Sequence, residues 1–363
     1  MAAGITPPRS VSEPPLTPPP TEEKPSSTRA QIVVDSFRHH QIGQRSSPWT
    51  DYRFDPSDYA GLLHMLNADE SLRGYVEDKV RYDYDPCHSR LSIRMPSPLH
   101  GTLCAELVWE ISTQLRVLQR GDGPAADFAK EIKHFASSRI ELLEEGDDGE
   151  IKYIRREPDA SFGHCQARYP GVVIEVCYSQ KSHQIHRLAD DYILSTDGSI
   201  NTVVCLDIDY KGLKKATFSV WRPTYEMKDG VLEFRSTPVV KAQVFRTSDG
   251  HPLKEAALRL PLKDFGTEDL TRGRQELSQE VTISSEQLCC FLSEAEARQE
   301  GYARRVGSKN NVLLGAKKRR RSETPPDHRS SDESILRAAG KVSKRGRLDS
   351  DYSPSPLSTT SDN

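Results

Sequence analysis

The feature that most restricts how this chain can fold is a single charge inside an apolar run. Val172-Val173-Ile174-Glu175-Val176-Cys177 is hydrophobic except for the carboxylate at its centre. A run of this kind reads as a strand covered on both faces. A carboxylate buried there costs several kcal/mol unless something compensates it. The candidates are a basic partner, backbone donors, a bound cation, or solvent at a cleft. The cover follows directly: Ile185, Leu188, Ala189, Tyr192 and Ile193 recur at helical spacing, and Gly198 stands just past the end. Thr202 to Asp209 is a second strand, so the unit is strand, helix, strand, a parallel crossover of right-handed sense.

Upstream, Ser97-Pro98 suits a helix cap and first turn. Leu103, Leu107, Ile111, Leu115 and Leu118 then line one face of a helix ending near Gly121. A second helix is expected over Ala125 to Phe135. Ile140 and Leu142 alternate with Arg139 and Glu141, Asp147-Asp148-Gly149 signals a turn, and Lys152 to Arg156 is the return strand. Asp159 to Gly163 is a short extended segment. Before this core, Tyr59, Leu62, Leu63 and Leu66 keep helical spacing, and Leu91, Ile93 and Met95 alternate like a half-buried strand. After it come Ala216, Phe218 and Val220 across a Lys211-Gly212 turn, then β-like segments at Val239 to Phe245 and Leu258 to Leu262. Ser284 and Gln287 have the spacing of a capping box, opening a helix through Leu288, Leu292 and Ala295.

Composition sets the boundaries. Only 35% of the residues are hydrophobic, and Pro and Ser crowd both ends. A disordered Pro/Ser-rich arm is expected over residues 1–47, one folded domain over 48–270, a helical extension over 271–307 and a disordered tail over 308–363. The net charge of -3 does not suggest a bulk neutraliser of nucleic acid. Seven cysteines, an odd number with no CxxC pair, point to reduced thiols in an intracellular protein. The first residues have no apolar segment of the secretory kind, and no run is long enough to span a bilayer, so no membrane partner is expected. His164, His183 and His186 fix no closed ligand set and read as surface or loop residues.

Two acids could carry chemistry. Asp159 and Glu175 on neighbouring strands would offer oxygen ligands to a hard divalent cation, which could orient water at a phosphodiester. The run Arg156-Glu157-Pro158-Asp159-Ala160-Ser161-Phe162, followed by Tyr169-Pro170-Gly171 and the Val172–Gln180 segment, resembles the P-D…E-x-K signature of PD-(D/E)XK nucleases. It is particularly similar to uncharacterised fungal members and bacterial restriction-endonuclease-like proteins, which also follow the acidic strand with a Ser, a Tyr-bearing helix and a strand ending in Asp. Ser179, Tyr192 and Leu206-Asp207 match those. The resemblance covers residues 96–222. It implies an α/β fold of mixed sheet, with a restriction-endonuclease-like αβββαβ core between the two arms. It also implies Mg²⁺, or Mn²⁺, on Asp159 and Glu175, and DNA as the substrate. Cys177 stands where the family has its Lys, a clear departure. Gln180 and Lys181 are the nearest residues that could replace it as catalytic groups. The family often adds an acid from the first core helix. Glu106 and Glu110 lie one turn apart there and either could reach the site; Glu110 is the metal ligand adopted, with a solvated helix face the plainer alternative.

Lys317-Lys318-Arg319-Arg320-Arg321 is a basic run in the tail. Nuclear import through an import receptor, a nucleic-acid contact and a plain solvated run all fit it, and import to the nucleus is the expectation adopted. Three functions remain open on the sequence. They are a Mg²⁺-dependent DNA nuclease, a degenerate member that binds nucleic acid or protein without cutting, and an interaction protein acting through its tails. Oligomeric state is not legible.

Overall fold

The computed structural model describes residues 28–44, 49–94, 97–145, 149–178, 182–208 and 214–304. The chain divides into two units, Met1–Val306 and Gly307–Asn363, and every described residue lies in the first. The architecture is mixed α/β, with three sheets of five, six and two strands.

The N-terminal part holds α1 (Thr28–Gln41), β1 (Trp49–Arg53), α2 (Pro56–Ala68), α3 (Glu70–Lys79), β2 (Arg81–Asp85) and β3 (Arg90–Arg94). Helix α1 corrects the expected arm boundary. Ala30, Val33, Val34 and Phe37 form an i, i+3, i+4, i+7 stripe and are buried against Leu62, Leu66, Leu72 and Val76. The Pro-rich composition before Thr28 masked that stripe. Residues 1–27 and the tail 308–363 fall outside the described residues, as does the Lys317–Arg321 run.

The central part runs α4 (Pro98–Gln119), α5 (Pro124–Lys130), β4 (Ile132–Ala136), β5 (Ile140–Glu145), β6 (Ile151–Arg156), β7 (Ala160–His164), β8 (Val172–Tyr178), α6 (Ser182–Leu194) and β9 (Thr202–Ile208). Ser97 caps α4 by accepting from the His100 N–H at 3.3 Å, with Pro98 in the first turn. The expected helix over residues 125–135 stops at Lys130. The chain extends from Ile132 because Lys133 and His134 are needed in the ladder against Gly163 and Phe162 of β7.

The six-stranded sheet has the order β11-β10-β9-β8-β7-β4, where β10 is Ala216–Lys228 and β11 is Val231–Arg246. Its β8–β9 pair is parallel and the others are antiparallel. The hairpin β5–β6 leaves this sheet and joins β2, β3 and β1 in the five-stranded one, in the order β1-β3-β2-β6-β5. Ile140, Leu142 and Ile154 still reach the core under α6, which is why their alternation reads as a central strand.

One face of the large sheet buries Ile174, Val176, Leu206 and Phe218 against Leu103, Leu107 and Ile111 of α4. The other buries Val173, Cys177 and Cys205 against Leu188, Ala189 and Tyr192 of α6. The remaining elements are β12 (Ala257–Pro261), α7 (Glu268–Thr271), β13 (Glu280–Ser284) and α8 (Ser285–Ala303). The capping box at the head of α8 is present, with Gln287 N donating to Ser284 Oγ at 3.2 Å and Ser284 N to Gln287 Oε1 at 3.0 Å. Leu288, Leu292 and Ala295 of α8 share the core of α4, so the segment read as an extension is part of the domain. Gly171 opens β8 because a Cβ there would meet the backbone of Asp264 and Phe265.

Candidate functional site

The site begins with the two-residue period of β2 and β3. Tyr82, Tyr84, Leu91 and Ile93 pack into the N-terminal core, so the alternate positions Arg81, Asp83, Asp85, Ser92 and Arg94 share the opposite face. That polar face is covered rather than wet: Asp83, Asp85, Ser92 and Arg94 are all buried. What covers it is the acidic end of the large sheet.

Asp159 stands just before β7, and its N–H donates to Ile174 O at 3.1 Å, which sets it beside Glu175 of β8. Both acids are buried. Asp159 Oδ1 takes Arg81 Nη1 at 2.9 Å and lies 2.8 Å from His100 Nε2, while Oδ2 accepts the Val176 N–H at 2.7 Å. Glu175 Oε2 accepts Arg94 Nη1 at 2.8 Å, and Oε1 accepts the Tyr192 hydroxyl at 2.7 Å. Arg94 also donates from Nη2 to Asp83 Oδ1 at 3.1 Å and to the Glu157 carbonyl, and its guanidinium lies 5.6 Å from the Trp49 ring.

Electrostatics follows from this geometry. Burial disfavours the charged form of Asp159, but His100, Arg94 and the Val176 N–H more than offset it, and Asp159 ends well below the usual carboxylate range. Glu175 moves the other way. Burial raises it, Arg94 and Tyr192 pull it down, and the charges of Asp159 and Asp83 push it up again, leaving it raised. One guanidinium faces several acids, so it cannot satisfy all of them equally.

The same seam continues around Asp85, which holds Arg187 at 2.6 Å and Arg156 at 3.5 Å, with Arg156 also paired to Asp191. Glu157 takes Arg155 and the Tyr82 N–H. A divalent cation needs carboxylate oxygens with free lone pairs facing a common point. Here each oxygen of Asp159 and Glu175 already has a donor, and among the described residues no group of three or more His, Cys, Asp and Glu is arranged to hold a metal ion. In this arrangement the residues do not fit Mg²⁺ or Mn²⁺.

Glu110, expected as a ligand, is not brought to the pair. It accepts from Gln114 Nε2 at 2.7 Å, and Gln114 in turn grips the backbone of Thr282 in β13. At ~1.5 Å per residue it lies about 15 Å along α4 from the end that meets Asp159. Glu106 lies on the side of α8, close enough for its charge to add slightly to the rise of the Cys290 thiol, which comes first from the hydrogen bond to Glu294 and from burial. The helix contributes His100 instead, which the sequence reading did not single out. Its signal was its place in the first turn of the core helix. Arg81 and Arg94 were also missed, because alternation marks them as polar without saying what they face.

Cys177 lies in the apolar cluster under α6, with its Sγ 3.3 Å from Cys205 Sγ. A Lys there would bury an ammonium among Leu188, Ile185 and Val173. Gln180 and Lys181 are outside the described residues. His164 is buried beside the Phe128 ring, whereas His186 is exposed against Trp221. Among the described residues no helix is long and apolar enough to cross a membrane. The chain matches no protein-family model and no curated protein.

Proposed function

We propose that this chain is a nuclease-fold protein that binds nucleic acid without cutting it. In this reading the acid pair locks two sheets together instead of holding a metal. The element order α4, β4, β7, β8, α6, β9 supports the αβββαβ core of PD-(D/E)XK proteins, with β5–β6 as an insertion that feeds the second sheet. The observation that carries the reading is the occupancy of every oxygen of Asp159 and Glu175 by a protein donor. The Lys317–Arg321 run supports nuclear import and a phosphate contact. DNA is the partner class we favour.

A second reading, a Mg²⁺- or Mn²⁺-dependent DNA nuclease, is favoured by one observation, the placement of Asp159 beside Glu175 on neighbouring strands. It requires Arg94 and Tyr192 to release Glu175. The test is incubation of the full chain with plasmid and single-stranded DNA in Mg²⁺ or Mn²⁺, with Asp159→Ala as the control, beside a gel-shift series in increasing salt. The expected outcome is salt-sensitive binding and no nicking. Nicking that the Asp159→Ala change abolishes would establish the second reading, and no binding in any salt would remove the first.

A further inference from the structure

The hairpin of β10 and β11 outruns the sheet that carries it. β10 pairs with β9 from Ala216 to Trp221, whereas its pairing with β11 continues to Lys228 and Val231. From Arg222 on, the described residues form a two-stranded ribbon, closed by Asp229 and Gly230, both at positive φ as a type I′ turn requires. Register sorts its side chains onto two faces. Pro223, Tyr225 and Met227 stand opposite Ser236, Phe234 and Leu232 on one face. On the other, Glu226 stands opposite Glu233, Lys228 opposite Val231 and Thr224 opposite Arg235. Carboxylates directly across a ladder repel, and Arg235 is paired with Glu233, so that face belongs in water. The first face does not. It continues the core under α6, which holds Trp221 and takes Phe234 at its margin. Yet Tyr225, Met227 and Leu232 are 66%, 68% and 61% exposed. A two-stranded hairpin alone in water is marginally stable, and a contiguous apolar face of this kind calls for a cover.

We infer that this cover is the same ribbon of a second copy of the chain, packed face to face about a two-fold axis. Such a contact needs a patch complementary to itself, and an apolar ribbon face meets that condition at sheet-packing distance. Tyr225 and Phe234, whose rings lie 5.0 Å apart, take the centre, and Met227 of each copy covers Pro223 of the other. The base of the ribbon sets the antiparallel direction. It is acidic: the Asp190 carboxyl lies beside Ser236, and Asp197 precedes Gly198, against which the Phe234 ring packs. A parallel pair sets these acids against their own copies. The antiparallel pair instead brings Lys228 of each tip toward them. At roughly 200 Å² for a large side chain, Tyr225, Met227, Leu232 and the partly buried Phe234 offer about 450 Å² per copy. The total, about 900 Å², is below a standard interface and above incidental contact. A weak dimer follows, with a dissociation constant of about 10 µM. This pairing is independent of the nucleic-acid reading above.

The experiment is sedimentation equilibrium of the full-length chain without DNA, from about 1 to about 100 µM, a range that brackets the expected constant. Wild type should pass from the mass of one chain toward twice that mass. Tyr225→Arg and Leu232→Arg, each a charge placed on the apolar face, should weaken association at least tenfold while melting like wild type at the lowest concentration. Val231→Arg, equally exposed but on the polar face, should associate like wild type. A wild type that stays monomeric to about 100 µM overturns the proposal. If Tyr225→Arg then also lowers the melting temperature, another segment of the same chain covers the ribbon. Association unchanged in both apolar-face variants overturns it as well, as does Val231→Arg weakening association as much as they do.

Discussion

Arg156, in the seam between the two large sheets, and Arg272, on the turn after α7, each hold a carboxylate. Arg156 pairs with Asp191 and lies 3.5 Å from Asp85, with its side chain 3% exposed. Arg272 pairs with Glu268 at 3.3 Å, and its side chain is 71% exposed. In the seam the attraction is strong because little water screens it, but every charge there has also lost its hydration. On the surface both terms are small, and side-chain entropy consumes much of what remains. The seam is therefore a structure in which no member can be removed alone, although the whole network adds less stability than its distances suggest. What such a network gives a fold is specificity, because a shifted placement of β2, β3 and β6 against β8 and α6 would strand buried charges.

The largest effect should come from breaking that network at one point. Arg156→Ala leaves Asp85 and Asp191 buried, with Arg187 and His88 still beside Asp85 but the Arg156 partner of Asp191 gone. A loss of about 4 kcal/mol in urea unfolding is expected, the usual scale for stranding a buried charge. The double change Arg156→Met with Asp191→Leu should recover most of it, since an apolar pair of similar volume replaces two desolvated ions. A single-variant loss below about 1 kcal/mol would erase the distinction between seam and surface.

A second, smaller effect is in pH. Asp159 is depressed from its ordinary 3.8, so its contribution is complete above that value and is lost as pH falls below it. Glu175 is raised from its ordinary 4.5, so its contribution is complete below 4.5 and is lost as pH rises toward its raised value. Melting temperature measured against pH should thus fall steeply in acid for wild type, and less so for Asp159→Asn after allowance for that variant's lower plateau. Glu175→Gln should flatten the decline on the neutral side. If Glu175→Gln leaves that limb unchanged, Glu175 is not the group being ionised there.

The sequence disclosed Glu175 for a physical reason: a carboxylate inside Val172–Cys177 is an anomaly that periodicity exposes, whereas Asp159 was singled out by its place at the head of a neighbouring strand and by the resemblance. It did not disclose what answers them. Arg94 read as the wet side of an alternating strand, because a period of two identifies the apolar face and is silent about the other, and the strand that carries Asp83 was not read at all. The β5–β6 hairpin was legible as a hairpin. Its sheet was not, since strand pairing is decided by contacts far apart in the chain. Helix α1 was legible in Ala30, Val33, Val34 and Phe37, but the Pro-rich residues before it dominated the reading by composition. Glu110 was proposed from the resemblance, which places an acid on the first core helix, and from helical phase, and phase fixes the side of a helix without fixing the distance along it.

The smallest effect completes the comparison. Arg272→Ala removes a contact between two side chains that are both mostly in water, at the end of a single-turn helix with no buried residue. No apolar packing is lost, and water rehydrates Glu268 at once. The expected melting temperature is indistinguishable from wild type at low ionic strength. It should stay so at ~1 M salt, where charges more than about 3 Å apart on the surface are screened. The seam gives the contrasting result. Buried pairs are screened far less, so the destabilisation by Arg156→Ala should persist at high salt. A defect in Arg156→Ala that disappears in salt would mean that water and ions enter the seam. In that case the closed acid pair of Asp159 and Glu175 would itself be accessible to solution cations.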